Sequence, residues 1–328
     1  MPCILIAVLI AAMPISQPLQ NVVVVRFSLK VAEWRRRAFV NDRNRQPWFA
    51  HRVALFQQTL FASLCAQTKP VAAVYLLMDD NDDWLYQKYF LEAQPHAPLL
   101  QSNAQGPGST PEIRPIFSSQ APHLLVALDL LRRGPCENVT LSRIDSDDIV
   151  ASQFFDALSQ DIASALQKGE VFDYVMAAQG YKSNLKQMQR CLYGRSPFLT
   201  RYWQKFPAPD EWRSPENPPT VYDVSHVRIR EYRLLESLNA QWMQLLHGTN
   251  VANGFSQGQS DPLPQDLSFL KDPHSQPIVC EEKHPFDADW FKAWAGFFPP
   301  NPDLFNQAPL PSLWHRLRVA WRRVKGRQ

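Results

Sequence analysis

Two apolar runs, with a helix-like stretch between them, constrain this chain most. Asn21 to Phe27, NVVVVRF, is a continuous β-branched run, the pattern of a strand buried on both faces. In HRVALFQQTLFASLCAQ, residues 51–67, Val53, Phe56, Leu60 and Leu64 fall on one helical face. VAAVYLLMDD, residues 71–80, is a second apolar run and ends in Asp79 and Asp80. Strand, helix and strand at this spacing make a βαβ unit, and hence a parallel sheet. The alternation continues. SSQAPHLLVALDLLRRG, residues 118–134, carries helix signals at both ends: Ser118 or Ser119 as cap, Pro122 early and Gly134 at the close. Val139 to Ile144 predicts a strand, residues 151–169 a helix capped by Ser152 and stopped at Gly169, and residues 171–180 another strand. The expected fold class is therefore α/β: a Rossmann-like, mostly parallel sheet flanked by helices.

Beyond about Tyr181 the periodic signal fades. Prolines cluster from Pro207 to Pro219 and again from Pro262 to Pro311, a density that disfavours long helices and central strands. The expected organisation is an apolar N-terminal segment (1–20), one main domain (21–255), a Pro-rich extension wrapping it (256–310) and a basic tail (311–328). The apolar stretch Cys3 to Met13 is too short to span a bilayer and has no basic segment before it. It fits either a signal segment or a start placed upstream of the first strand. The five cysteines are odd in number and form no CxxC pair. Neither a zinc site nor a disulfide framework is expected, and a reducing compartment fits best.

The chemistry concentrates in LSRIDSDDIV, residues 141–150. An apolar run ends in Asp145, Asp147 and Asp148, three acids within four positions. Like charges this close repel unless water or a cation intervenes. In open parallel sheets, ligands sit at the carboxyl ends of the strands, where these acids, Asp79 and Arg26 are all expected. Hard cations such as Mg²⁺ or Mn²⁺ take one or two carboxylates together with phosphate oxygens. Two rival motifs fit less well. An EF-hand loop beginning at Asp145 needs Gly sixth and Glu twelfth, where this chain has Val150 and Asp156. A phosphatase using an aspartyl nucleophile would carry its Asp-x-Asp on the first strand. A helix cap stabilised by the dipole stays open as a structural explanation of the acids.

Five further segments accompany that motif in order: VVRFSL, LFQQTLFASLCAQT, GYKSNLKQMQRCLYGRSPFLT, VYDVSHVRI and QWMQLLHGTNVAN. Together they resemble a rhamnosyltransferase family, glycosyltransferase-family-2-like proteins of GT-A fold, from about Asn21 to Gly254. The resemblance implies a nucleotide-diphosphate sugar donor, a divalent metal (Mg²⁺ or Mn²⁺) and an inverting transfer to a glycan or lipid-linked acceptor. It implies that Asp145 contacts the ribose or the metal, that Asp147 is the principal metal carboxylate, and that Asp148 supports the pair or faces the sugar. His247 becomes a further metal or diphosphate ligand, with Asn250 near it on the donor side. Arg26, Asp79 and Arg143 join the donor site, Arg26 at the diphosphate or base and Asp79 at the base. Asp223 and Glu211 are candidates for the general base that an inverting transfer requires. Ala62 departs from the family's proline at that position, and the Pro95 to Pro115 loop is unusually rich in proline.

Charge is asymmetric. Pro311 to Gln328 hold six basic residues and no acid, and removing those six from the net +3 leaves −3 for the rest. LWHRLRVAWRRVKGRQ sets apolar residues, Trp314 and Trp321 among them, on one helical face, with Arg318 and Arg322 among the basic residues on the rest. A basic amphipathic helix of this kind suits an anionic membrane surface, at about 1 kcal/mol per basic residue. A helix docked on the domain is the alternative. Nucleic acid is not an expected partner. The expected location is cytoplasmic, or peripheral at the inner face of the membrane. The competing functions are a metal-dependent phosphohydrolase and a catalytically silent membrane-associated binding protein.

Overall fold

The computed structural model describes residues 18–29, 42–92, 110–133, 137–193, 196–212, 220–221, 229, 231–235, 237, 241–246 and 278–306. The chain order opens with β1 (Gln20–Arg26), α1 (Asp42–Gln58), α2 (Leu60–Cys65), β2 (Val71–Met78) and α3 (Asp83–Tyr86), which a π-helical turn (Gln87–Glu92) continues. Next come β3 (Glu112–Phe117), α4 (Pro122–Arg132), β4 (Glu137–Arg143), β5 (Ile149–Val150), α5 (Phe154–Gln167) and β6 (Tyr174–Ala177). The remainder is β7 (Gln179–Ser183), β8 (Gln187–Tyr193), β9 (Leu199–Lys205), β10 (Arg233–Leu235), β11 (Trp242–Leu245), β12 (Ile278–Cys280), β13 (His284–Pro285), α6 (Ala288–Ala295) and α7 (Asp303–Asn306).

The expected α/β architecture is present. A seven-stranded sheet runs β10-β6-β9-β4-β1-β2-β3, and within it only β9 is antiparallel to its neighbours. Alternation along the strands divides the core in two. Val23 and Val25 of β1, with Val74, Leu76 and Met78 of β2, face Phe49, Phe56, Leu64, Leu85 and Phe155 of the surrounding helices. Val22 and Val24, with Ala73, Tyr75 and Leu77, face Val126, Ala127 and Leu130 of α4. Both faces of the central strands are thus buried, which is why β1 and β2 read as unbroken apolar runs.

Local details depart from the sequence expectations in three places. The helix expected over residues 51–67 begins earlier, at Asp42, and breaks at Thr59, whose hydroxyl donates to the Leu55 carbonyl at 2.7 Å. Ser152 is not the cap of α5. Gln153 holds that position, while the Ser152 hydroxyl donates to the Trp294 carbonyl at 3.3 Å. Neither Ser118 nor Ser119 caps α4: Ala121 holds that position with no side-chain cap, Pro122 opens the helix as expected, and the Ser118 hydroxyl accepts from the Ala121 amide at 3.1 Å in the turn before it.

A second sheet, β12-β8-β7-β11-β5 with β13 paired to β8, lies in the region where periodicity fades. Several of its strands have two to four residues, and they pair with partners remote in sequence. Such strands carry too few residues to show alternation. The second sheet also overturns the cysteine reading. β12 sets Cys280 directly opposite Cys191 of β8, and the two form a disulfide across a separation of 89 residues. The pairing brings together cysteines whose spacing carries no motif, and the inference of a reducing compartment loses its basis. No helix among the described residues is long and apolar enough to cross a membrane.

The second sheet depends on one glycine. Gly180 of β7 pairs with Trp242 of β11, whose indole stacks on Phe198 at 4.3 Å between centroids. A Cβ on Gly180 would lie 2.3 Å from that indole. Because Trp242 is fully buried it has no room to move aside. Gly180→Ala is expected to destabilise the fold by about 1–3 kcal/mol through overpacking, read as a lower midpoint in urea unfolding.

Candidate functional site

The acidic segment joins the two sheets. β4 lies inside the large sheet between β1 and β9, and the Ile144 amide still donates to the Val24 carbonyl at 3.3 Å. The chain then turns, with the Asp148 amide donating to the Asp145 carbonyl at 3.1 Å. It enters the small sheet at once, because Ile149 and Val150 pair with Met243 and Trp242. Helices α1 and α2 hold this crossing from behind. The Thr59 hydroxyl donates to the Ser146 carbonyl at 3.3 Å, the Val150 amide donates to the Ser63 hydroxyl at 3.4 Å, and Gln67 Nε2 donates to the Ala151 carbonyl at 2.9 Å. Ser146, Asp147 and Asp148 are buried and Asp145 is half-buried.

The neighbouring strand ends converge on the same edge. Asp79 follows β2, and its Oδ1 accepts from the Asn81 amide and side chain at 3.4 and 3.5 Å. Asp82 is held by Arg45: Nε donates to Oδ1 at 3.0 Å and Nη2 bonds Oδ2, which also accepts from the Ser28 hydroxyl at 2.6 Å. Arg45 Nη2 further donates to the Ser28 carbonyl at 2.7 Å, so this clamp ties the exits of β1 and β2 to α1. Arg26 and Arg143 alternate onto the α4 face of the sheet. Arg143 donates through Nε and Nη2 to the Pro197 carbonyl at 3.3 and 3.1 Å, which ties it to the approach to β9. Arg26 lies near the first turn of α4: burial, and then the Arg26 charge, draw His123 down to about 4. On the other face, Arg52 of α1 donates from Nε to the Phe27 carbonyl at 2.8 Å and lies over the Trp48 ring.

Electrostatics show that the acids feel one another. Burial, and then the charges of Asp147 and Asp145, raise Asp148 well above the ordinary carboxylate range. The Arg52 charge opposes that shift. Burial raises Tyr193 of β8, and the Asp148 charge adds to it, which places this phenol close to the acids. The Ser146 hydroxyl is buried with no hydrogen-bond partner among the described residues.

The structure therefore brings Arg26, Asp79, Arg143, Asp145, Asp147 and Asp148 to one edge. It does not bring Glu211 there. Because β9 runs antiparallel, its last residue, Lys205, pairs with Glu137 at the start of β4, at the opposite edge of the sheet. Glu211 follows in the exposed turn Pro209–Glu211, where its Oε2 accepts from the Ala208 amide at 2.6 Å. Asp223, His247, Asn250, Trp314, Arg318, Trp321 and Arg322 lie outside the described residues. Sequence reasoning missed Arg52, His123, Lys182 and Tyr193. Arg52 and His123 sit in helices read only for their apolar faces, and the other two in strands without visible alternation. Among the described residues, no three His, Cys, Asp or Glu side chains are grouped to hold a metal. The acids fit a hard cation in the narrower sense: mutually repelling carboxylates beside an orphaned hydroxyl supply part of a shell that phosphate oxygens can complete.

No family model matches this chain, and no curated protein matches it. Among solved structures, mannose-6-phosphate isomerase from Helicobacter pylori is similar at a TM-score of 0.23 and 14% identity, over 55% of this chain and 56% of that one. So low a score carries no argument about fold or activity.

The Asp148 shift has a consequence for stability. A carboxyl raised on folding contributes fully below the ordinary carboxylate range, and its contribution falls as pH rises through that range toward the folded value. At neutral pH, burying this carboxyl is a cost, because an exposed carboxylate in the unfolded chain is better solvated. Asp148→Asn is therefore expected to be more stable than wild type at pH near 7, with the difference closing below about pH 4. Urea unfolding at both pH values, with chelator present, checks this; equal stability of the two proteins at neutral pH contradicts it.

Proposed function

We propose that this protein is a metal-dependent glycosyltransferase of the GT-A type, similar to the rhamnosyltransferase family. It moves a sugar, rhamnose or a relative, from a nucleotide-diphosphate donor to a hydroxyl on a glycan or lipid-linked acceptor. One observation carries the reading: Asp145, Asp147 and Asp148 stand at the carboxyl edge of a mostly parallel sheet, where such sheets take their ligands. The ordered sequence segments support it.

Asp145 and Asp147 would hold Mg²⁺ or Mn²⁺, which when bound supplies positive charge to a departing diphosphate. Arg26 on one face and Arg52 on the other would supply charge for phosphate oxygens. Asp79, directly after β2, would meet the base or ribose. In the transfer, an acceptor oxygen bonds to the anomeric carbon as the bond from that carbon to the diphosphate breaks. The bonding pair leaves with the diphosphate, and the hydroxyl proton passes to a carboxylate. A cytoplasmic place at a membrane surface follows from the donor and from the basic tail. The Cys191–Cys280 bond stands against it, so the redox state of this pair in cells quenched with acid and an alkylating agent checks the location.

Calorimetry with a panel of nucleoside diphosphates, with and without Mn²⁺, tests the reading. Binding is expected to require the metal and to weaken at least about tenfold in a folded Asp147→Ala variant, a change of about 1.4 kcal/mol. Failure of wild type to bind any nucleotide would sink the proposal. Release of inorganic phosphate without an acceptor would instead identify a phosphohydrolase.

A further inference from the structure

We infer that the outward face of α4 is an interface between two copies of this chain, packed antiparallel about a local two-fold axis. The helix, PHLLVALDLLR, is apolar almost all round. Val126, Ala127 and Leu130 pack on the sheet. Ala121, Leu125, Leu128 and Arg132 follow one another at spacings of four, three and four, so they line the side turned away from it, with Leu124 on their flank. Leu125 and Leu128 are 39% and 38% exposed, and Leu124 and Leu131 are half-buried. A helix that covers a sheet at the surface carries polar residues on its outer side, whereas one that is apolar on every side is covered on every side. These leucines adjoin one another, unlike the single surface leucines that need no explanation.

Charge identifies the occupant. The stripe has an acid at one end and a base at the other. At its start, the exposed Asp80 accepts from the Ser119 amide at 2.9 Å and from the Ser119 hydroxyl. At its end, Arg132 is exposed in the last turn of α4 and has no acidic partner among the described residues. Its neighbour Arg133 is already engaged: Nε donates to Asp129 Oδ2 at 3.0 Å, and Nη1 lies 3.2 Å from Glu112 Oε1. A two-fold axis midway between Leu125 and Leu128 sets Leu125 of each copy against Leu128 of the other. The same axis carries Arg132, four residues past Leu128, to Ala121, four residues before Leu125, next to the turn that Asp80 holds. The stripe is thus complementary to itself in apolar surface and in charge, and each ion pair forms twice.

A lipid surface fits this face less well. Asp80 and Glu112 are exposed beside the helix and would meet anionic headgroups, while Arg133 is committed to acids of its own chain. Because Asp80 directly follows Asp79, the contact borders the edge of the sheet that carries the acids. It stands whatever reaction that edge performs.

Sedimentation velocity on the full chain, from about 1 to about 100 μM, tests the interface. Wild type is expected to be a dimer in the upper part of that range. Leu128→Glu is expected to weaken the dimer at least about tenfold, because it sets two carboxylates in the apolar stripe. Arg132→Asp and Asp80→Arg, each alone, are expected to weaken it about fivefold, and the two together to restore it, as exchange of a charge pair requires. A monomer at every concentration overturns the proposal. So does a dimer that Leu128→Glu leaves intact, or a double exchange no better than its worse single variant. A monomeric wild type that binds phosphatidylserine vesicles, with binding lost in Leu128→Glu, would assign the face to a membrane instead. If a variant does not fold, hydrogen exchange of wild type decides: protection of residues 121–132 that rises with protein concentration supports the interface, and protection independent of concentration overturns it.

Discussion

The crossing from Ile144 to Ile149 is the constraint on which the rest of the molecule depends. It leaves the interior of one sheet and enters the edge of another with four residues between, three of them acids. The backbone there cannot relax outward. Thr59, Ser63 and Gln67 grip it from the helices, and the ladders to Val24 and Met243 fix its ends. Burial, and then charge repulsion that a surface loop would relieve by moving, therefore persist here and raise Asp148. Clustered, buried, like-charged groups cost stability, and structures tolerate that cost mainly where chemistry uses it.

Rigid packing makes such a site possible. Phe27, Phe49, Phe56 and Phe90 meet in mostly edge-to-face contacts just beyond β1, which fixes the strand exit against α1 and the π-helical turn. The Arg45–Asp82–Ser28 clamp fixes the exit of β2 to the same helix. A buried ion pair of this kind adds little net stability over an apolar one, but its geometry specifies a single arrangement of the three segments it ties. On the other side of the crossing, the stack of Trp242 on Phe198 and the glycine beneath it lock the second sheet. Residues 278–306 return over this region: the Leu304 carbonyl lies 2.7 Å from His51 Nε2 on α1, and the Trp294 carbonyl accepts from the Ser152 amide at 3.0 Å.

The sequence by itself determined the parallel core. β1 and β2 are buried on both faces, so their burial is written as unbroken β-branched and apolar runs, and the intervening helix carries its own period. The acids at the end of β4 were legible for the same reason: a buried strand that ends in charge marks an edge. Strand order, the reversal of β9 and the whole second sheet were decided only in the tertiary structure. Short strands pair through backbone groups that every residue carries, so their side chains announce no partner. That pairing places Cys280 against Cys191, carries Glu211 to the far edge of the sheet, and lines up Gln189, Lys182 and Gln244 across three adjacent strands. Each of these outcomes depends on register between segments tens of residues apart, a quantity that no local pattern of residues encodes.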